Sequence, residues 1–281
     1  MPPIFIASTN SKVGAEAAAL LVATGHPVRG GVRKLSQPIP GVESVVADLD
    51  RPETLVPALS GIETAILTTA ADLEQSAQHA RFLAAAKQAG VKRIIRISVV
   101  GASLHSPLYL LRSNAETERD FTNSGIEATH LRPHSFMQNL LGQVGAMRAT
   151  SKLFSNGGDG HIPFVDVRDI AASAVAVALN PNFGGKTYLI TGPEALTYAQ
   201  VAAKFSTALG QPVEFMNVPE AAVVQGMTAA GVPAWLASDL AKINTDFADD
   251  KFAAVSPDVQ TLTGRAPYSF DDFLNKNAAH F

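Results

Sequence analysis

Two titratable side chains of this sequence lie where they could contact a substrate. We take Tyr109 and His134 as candidate catalytic residues, and the alternative for Tyr109 is a place in a solvent-exposed loop. An unperturbed imidazole has a pKa of about 6.5 and exchanges protons near neutrality, which suits His134 to contact a substrate. A structural role stays open, in which the His134 ring caps or hydrogen-bonds a helix that begins at Ser135.

The residues of several other catalytic classes are missing. The sequence has no cysteine, which excludes thiol catalysis, cysteine-ligated zinc, iron–sulfur clusters and disulfides. No Gly-x-Ser-x-Gly segment occurs, so hydrolysis by a serine nucleophile is not supported. Asp159, His161, Asp166 and Asp169 fit no recognised metal-ligand spacing, and we expect Asp166 to cap a helix. The sequence therefore predicts no metal site.

A polar segment near the start of the chain separates a predicted strand from a predicted helix. The N-terminus of a helix offers free N–H groups and the positive end of its dipole, which suit the pyrophosphate of a dinucleotide. Such loops usually carry three glycines; here only Gly14 remains, because Ser8 and Ser11 occupy the other two positions. A plain strand–helix turn is the alternative. The residues that we expect to contact a cofactor here are Ser8, Thr9, Asn10, Ser11, Lys12 and Val13.

The two serines bear on how closely a cofactor can approach this loop. At Ser11 a Cβ lies where the pyrophosphate should come close, although the hydroxyl can donate a hydrogen bond to a phosphate oxygen. Asn10 tolerates left-handed geometry, so we expect the turn to form. We therefore expect Ser8 and Ser11 to affect cofactor binding rather than the fold.

Charged residues end the second and third predicted strands. Arg33 and Lys34 suit the 2′-phosphate of NADP, whereas an acidic residue there would hold the 2′-hydroxyl of NAD. The alternative is a solvated basic pair. Asp48 and Leu49 are placed to meet an adenine, and the alternative for Asp48 is to cap the helix that begins at Pro52.

Further candidates follow the next three predicted strands. Thr68, Thr69 and Ala70 come after the fourth strand and would flank a ribose. Ser98 closes the fifth strand, and Pro133 follows the sixth, beside the expected nicotinamide. Because the carboxyl ends of parallel strands meet at one edge of a sheet, we expect all of these residues to share one site.

The elements that position these residues alternate between strand and helix. Short apolar runs indicate strands, and Ala- and Leu-rich stretches closed by glycine indicate helices. The predicted strands are 4–7, 26–33, 42–48, 64–69, 93–100 and 128–132, and the predicted helices are 14–24, 52–59, 72–89 and 108–124. This alternation predicts an α/β fold with a Rossmann-like, doubly wound parallel sheet.

The second half of the chain is less regular. A cluster of residues that interrupt helices and strands, at 155–160, follows the first half and precedes a predicted helix at 167–179. A strand at 186–191, a helix at 198–209, a strand at 213–218 and further helices complete the chain. We therefore predict an NAD(P)-binding domain over 1–154 and a smaller α+β substrate-binding lobe over 155–281, with segments partly interleaved.

Composition and charge restrict the kinds of partner that the protein can bind. The 281 residues carry a net charge of −3, which argues against a nucleic-acid-binding surface. No apolar run approaches the ~18 residues of a membrane span, and no secretory signal is evident, so we expect a cytoplasmic protein without a membrane partner. We expect a monomer or a homodimer.

Several short motifs, in their order along the chain, resemble those of the NmrA-like family of atypical short-chain dehydrogenases/reductases. The resemblance covers nearly the whole chain and is specific for family and fold rather than for substrate. The motifs that carry it are Lys12-Val13-Gly14, Gly25-His26-Pro27-Val28, Ala47-Asp48-Leu49, Leu67-Thr68-Thr69, Leu131-Arg132-Pro133, Phe136-Met137-Gln138-Asn139 and Phe164-Val165-Asp166.

This resemblance implies an NAD(P)H-dependent reductase of an aromatic or conjugated small molecule, such as a quinone, enone, imine or dye. Because Arg33 and Lys34 suit a 2′-phosphate, we expect NADP(H) to be preferred over NAD(H). The Tyr-x-x-x-Lys pair of many short-chain dehydrogenases is absent, because Ser113 lies four residues after Tyr109. Asn114 lies where a Lys or His often occurs in the family, so the resemblance adds it to the candidate catalytic residues. Acceptors with delocalised reduced forms need less help from a protein proton donor, so hydride transfer stays feasible.

Two other functions remain open from the sequence. One is a redox-neutral isomerase or cyclase with weakened or lost cofactor binding, which the serine-substituted loop suggests. The other is a regulatory protein that senses NADP(H) without turnover, which the missing Tyr/Lys pair suggests.

Overall fold

Seven parallel strands form the central sheet of the molecule, for which a computed structural model describes residues 1–35 and 38–281. The strands are β1 (Ile4–Ala7), β2 (Val28–Val32), β3 (Val42–Val46), β4 (Thr64–Leu67), β5 (Arg93–Ile97), β6 (Glu127–Pro133) and β8 (Thr187–Ile190). Their order across the sheet is β3-β2-β1-β4-β5-β6-β8. The strand order reverses between β1 and β4, and the crevice at the carboxyl end of such a reversal is where ligands bind in open parallel sheets.

Helices cover both faces of this sheet, which explains why its strands read as continuous apolar runs. On one face, α1 (Lys12–Ala23) and α6 (Val167–Leu179) bury Leu21 and Ile170 against the sheet residue Ile6. On the other face, α2 (Leu55–Leu59), α3 (Gln75–Ala89) and α4 (Tyr109–Thr122) bury Phe82 and Phe121. A short 3₁₀ helix (Pro52–Thr54) precedes α2.

A smaller lobe packs at the carboxyl edge of the sheet. Its parallel strand pair, β7 (Lys152–Ser155) and β9 (Glu214–Asn217), and its helices enclose a second apolar cluster that contains Phe164, Phe205 and Phe270. The helices are α5 (Val144–Thr150), α7 (Tyr198–Leu209), α8 (Glu220–Ala229), α9 (Ala234–Ala248) and α11 (Phe270–Lys276). The segment between α9 and α11 contributes α10 (Asp258–Thr263), which returns to α6 and β8 of the sheet layer.

The predicted doubly wound α/β fold is confirmed, and the six predicted strands of the first half occur within a few residues of their expected ends. The helices at 167–179 and 198–209 also have the predicted bounds. Two elements, β7 and α5, are absent from the sequence prediction. No helix in residues 1–35 and 38–281 combines the length and apolarity needed to cross a bilayer.

Candidate cofactor and substrate site

The loop after β1 forms a tight turn that aims a helix N-terminus at the carboxyl edge of the sheet. Ser8 adopts a left-handed backbone conformation with φ of 53°, and its carbonyl accepts a hydrogen bond from the Ser11 N–H at 2.8 Å. Thr9 is fully buried and donates its hydroxyl to the Ile6 carbonyl at 2.9 Å. The turn therefore forms without the usual glycine, at the cost of a backbone conformation that only a few per cent of non-glycine residues adopt.

Ser11 caps the helix that follows. Its side-chain oxygen accepts a hydrogen bond from the Gly14 N–H at 3.0 Å, which leaves its own hydroxyl hydrogen free to donate. The N–H groups of Lys12 and Val13 have no acceptor within the described chain and project from the first turn of α1. Two backbone donors and one hydroxyl donor at a positive dipole end form a group that suits a phosphate oxygen.

Two glycines keep the backbone of this loop close to its neighbours. A Cβ on Gly14 would lie 2.4 Å from the Ser8 carbonyl oxygen, so helix and strand require glycine there. A Cβ on Gly30 in β2 would lie 2.6 Å from the Thr9 hydroxyl oxygen. Sequence reasoning overlooked Gly30; a glycine pair inside a predicted strand signals such a close backbone approach.

The charged residues after β2 and β3 lie at the same edge. Arg33 and Lys34 are exposed directly beyond β2, where no carboxylate pairs with them in the described chain. The Asp48 side chain accepts a hydrogen bond from the Asp50 N–H at 3.1 Å, so it shapes a turn. The suggestion that Asp48 caps the Pro52 helix is wrong, because the residue before that helix is Arg51 and no side chain caps it.

Beyond β4 and β5, the candidate ribose residues meet the α3–α4 layer. Thr68 is buried, Ala70 is exposed, and the Thr69 hydroxyl lies 2.9 Å from His79 Nε2 in α3. The Ser98 hydroxyl donates to the Glu118 carboxylate at 2.5 Å. Ser98 is therefore fixed by α4.

Tyr109 and Asn114 both belong to α4 and are both hydrogen-bonded within the protein. The Tyr109 hydroxyl donates to the Leu73 carbonyl, and burial raises the pKa of that phenol, so it stays protonated at neutral pH. Asn114 is buried, with its amide oxygen accepting from Arg96 Nη2 at 2.6 Å and its amide nitrogen donating to the Leu110 carbonyl at 2.8 Å. The Tyr109 hydroxyl and the Asn114 amide therefore do not pair with each other as the tyrosine and lysine of a Tyr-x-x-x-Lys motif do.

His134 lies directly after β6 and is only 2% exposed. Its Nδ1 accepts a hydrogen bond from the Ser135 N–H at 2.8 Å, which assigns the ring's proton to Nε2. Burial lowers the His134 pKa to about 3, with a smaller opposing effect from the Phe252 backbone, so the imidazole is neutral at pH 7. No helix begins at Ser135, because the chain stays extended until a 3₁₀ helix begins at Met137.

Aromatic residues of the smaller lobe cover the ends of β5 and β6. The segment 249–257 between α9 and α10 crosses this edge. A Cβ on Gly101 would lie 2.8 Å from the Phe252 ring, and the Phe247 ring lies 4.8 Å from the His134 ring between centroids. A Cβ on Gly160 would lie 1.9 Å from the Phe247 carbonyl oxygen, which explains why the cluster at 155–160 ends in glycine.

Helices α4 and α9 meet beside this edge, and we take the region that they border as the candidate substrate cleft. The Trp235 ring meets the Tyr109 ring edge-on at 5.4 Å between centroids. Asp239 of α9 accepts a hydrogen bond from the Leu110 N–H at 2.7 Å, which caps α4 from another helix. Leu73 and Leu104 are 52% and 44% exposed and add apolar surface. Sequence reasoning overlooked Asp239, which no local pattern reveals.

The strand topology places the loop after β1, the basic pair after β2 and the residues after β4, β5 and β6 along one edge. Asp166 caps α6, as predicted, by accepting from the Arg168 N–H at 2.8 Å. In the residues the structure describes, no three acidic or histidine side chains converge as a metal site would require.

Comparisons with known proteins found similar sequences and structures over nearly the whole chain. The model of the NmrA-like family matches residues 4–274. An NAD(P)H azoreductase of Xenophilus azovorans is 32% identical over 99% of both chains, and a (4-alkanoyl-5-oxo-2,5-dihydrofuran-3-yl)methyl phosphate reductase of Streptomyces griseus is 30% identical over 99% of both chains. The crystal structure of an Escherichia coli NADPH-dependent quinone oxidoreductase complexed with NADPH superimposes with a TM-score of 0.87 at 27% identity, covering 98% of this chain and 99% of the other.

Proposed function

The chain belongs to the NmrA-like family, and from that premise we propose that it is an NADPH-dependent reductase of conjugated small molecules. The relatives named above reduce an azo compound, a quinone and an oxo-dihydrofuran, and each of these acceptors carries a conjugated double bond. What these acceptors share is a reduced form stabilised by delocalisation, which a site without a strong acid can produce.

The observation that carries the proposal is the free first turn of α1. The Lys12 and Val13 N–H groups and the Ser11 hydroxyl are available to a pyrophosphate, and Gly14 keeps the loop close to the helix. Arg33 and Lys34 lie at the same edge, beyond the neighbouring strand. This donor set fits NADPH better than NADH, because two cations suit a 2′-phosphate.

The reduced nicotinamide, when bound, supplies the hydride. The protein's own residues would hold the cofactor along the edge, with Thr68, Thr69 and Ala70 beside the ribose and Pro133 beside the nicotinamide. Trp235 and Phe252 would exclude water and favour a flat, apolar acceptor. Because His134 is neutral and enclosed, we propose that it shapes the cleft and that the proton for the reduced acceptor comes from water.

The cofactor assignment is tested by replacing Arg33. We expect Arg33→Ala to raise the Kd for NADPH about tenfold, the effect of one lost charge-assisted contact, and to leave the Kd for NADH unchanged. Arg119→Ala is the matched control, because Arg119 lies at the far end of α4 and pairs with Asp120. Titration calorimetry supplies both constants, and absence of NADPH binding to the native protein at millimolar concentration would overturn the assignment.

Turnover is tested separately with a panel of quinones, azo dyes and enones. We expect NADPH oxidation with at least one acceptor. Binding without turnover across the panel would favour the NADP(H)-sensing alternative. A redox-neutral product formed without nucleotide would favour an isomerase or cyclase.

A further inference from the structure

A group of buried polar side chains lies between the sheet and helices α3 and α4, below the cofactor edge. Arg96 of β5 is at its centre and is completely buried. Gln75 and His79 reach it from α3 and Asn114 from α4, and none of the three is more than 4% exposed. The proposed function uses none of these side chains.

The Arg96 guanidinium is only partly satisfied. Its Nη2 donates to Asn114 Oδ1 at 2.6 Å, whereas Nε and Nη1 have no hydrogen-bond partner in the described chain. No carboxylate within residues 1–35 and 38–281 forms an ion pair with it. The nearby Glu118 carboxylate is already engaged by Arg132 at 2.5 Å and by Ser98.

An enclosed cation without a counter-charge is costly, because burying an unpaired charge carries a penalty of several kcal/mol. Deprotonation does not remove this charge, since burial lowers the Arg96 pKa only to about 10. Neighbouring groups do not neutralise it either: burial keeps His79 and His130 uncharged, and Arg132 adds a second cation beside the single Glu118. Water would satisfy the missing hydrogen bonds of Arg96 but would not neutralise its charge.

We propose that Arg96 holds a small inorganic anion of the size of chloride in this interior. The unpaired Nε and Nη1 groups supply donors to it. His79 Nε2 lies 2.9 Å from the Thr69 hydroxyl, and His79 Nδ1 is buried without a partner, so in the tautomer that protonates Nδ1 this nitrogen is a further donor in the same group. A monatomic anion needs the least room, and Gln75, His79, Arg96 and Asn114 are all at most 4% exposed.

A groove of about 300 Å³ between α3 and α4 reaches one member of this buried group, because His79 lines it. His79 and Thr117 contribute to its lining, and both are at most 3% exposed. Ser76, whose hydroxyl is buried without a partner, lines the same groove. The anion would tie α3, α4 and β5 together, and this inference does not depend on the identity of any substrate.

Bromide substitution provides the direct test. Crystals of the full chain grown or soaked in sodium bromide should show an anomalous peak beside Nε and Nη1 of Arg96. An ordered water in place of that peak would overturn the proposal.

Thermal unfolding provides an independent test in solution. At constant ionic strength, replacing gluconate with chloride should raise Tm by roughly 3 °C for each tenfold increase in chloride above Kd. Arg96→Met should abolish this dependence, whereas Arg93→Met should retain it, because Arg93 lies on the same strand but pairs with Glu127. Equal chloride dependence in Arg96→Met and the unmodified chain would overturn the proposal, and if Arg96→Met fails to fold, the bromide peak decides.

Discussion

At the scale of single residues, the cofactor loop combines one strained position with one that admits no side chain. Ser8 occupies a left-handed conformation, and Gly14 lies against its carbonyl. The sequence identified Ser8 as a departure from a glycine loop, but the turn is also held by the Thr9 N–H, which donates to the Gly31 carbonyl of β2 at 3.1 Å. Such a contact depends on the neighbouring strand and has no local signature.

Gly14→Ala should destabilise the protein and weaken NADPH binding. The new Cβ meets the Ser8 carbonyl at 2.4 Å, and overpacking of this kind costs about 1–3 kcal/mol. The control is Gly145→Ala in α5, where a Cβ meets nothing within 4 Å; it should be neutral or stabilising by up to about 1 kcal/mol. Urea unfolding measures both, and equal effects would contradict the role assigned to Gly14.

Buried histidines should make the protein acid-sensitive. The His134 pKa of about 3 in the folded state lies below its unfolded value of about 6.5, so the unfolded chain takes up the proton first. The stability that neutral His134 contributes is complete above pH 6.5 and is lost as pH falls toward 3, by at most about 1.4 kcal/mol per pH unit.

His134→Gln should therefore flatten the decline in unfolding free energy between pH 7 and pH 4.5. His105→Gln should leave it unchanged, because His105 is exposed. Urea titrations at several pH values supply the slopes. A slope that His134→Gln does not alter would show that the imidazole is already charged in the folded protein.

At the scale of elements, α4 and α9 depend on each other. The N-terminus of α4 has no capping side chain of its own, and Asp239 of α9 fills that role. Local patterning predicted α4 and most strands because their signal lies in consecutive residues. The cap was not predictable, since Leu110 and Asp239 are far apart in sequence and meet only through the fold.

Asp239→Ala should destabilise the protein by about 1 kcal/mol, the usual value of a lost cap, and should raise KM for a bulky acceptor more than it lowers kcat. The reason is that Asp239 holds α9, and with it Trp235, against the mouth of the cleft. Ser238→Ala is the control, since Ser238 is exposed on the same helix. An unchanged KM would show that the contact between α4 and α9 does not affect substrate binding.

At the scale of the whole molecule, the two lobes share chain segments. Strand β8 and helices α6 and α10 follow residue 155, yet they complete the sheet layer. Asp258 of α10 accepts a hydrogen bond from the Leu189 N–H at 2.8 Å, and Thr191 lies 3.0 Å from the Ser256 N–H. Alternating strands and helices predict the sheet from sequence, but the partner of an edge strand depends on long-range packing.

This sharing should make unfolding a single transition. Trp235 is the only tryptophan and lies in the smaller lobe, whereas most helix and strand signal comes from the sheet layer. Indole fluorescence and far-ultraviolet circular dichroism should therefore give coincident urea curves. A fluorescence midpoint clearly below the dichroism midpoint would show that the smaller lobe unfolds by itself.

The late arrival of β8 has a consequence for biosynthesis. Strand β6 is complete long before β8 leaves the ribosome, so the nascent sheet presents an open edge of unpaired N–H and C=O groups at His130 to Pro133. Such an edge is a template for pairing with another chain. Translation speed between β6 and β8 and chaperone access to that edge should then govern the yield of correctly folded protein more than its final stability does.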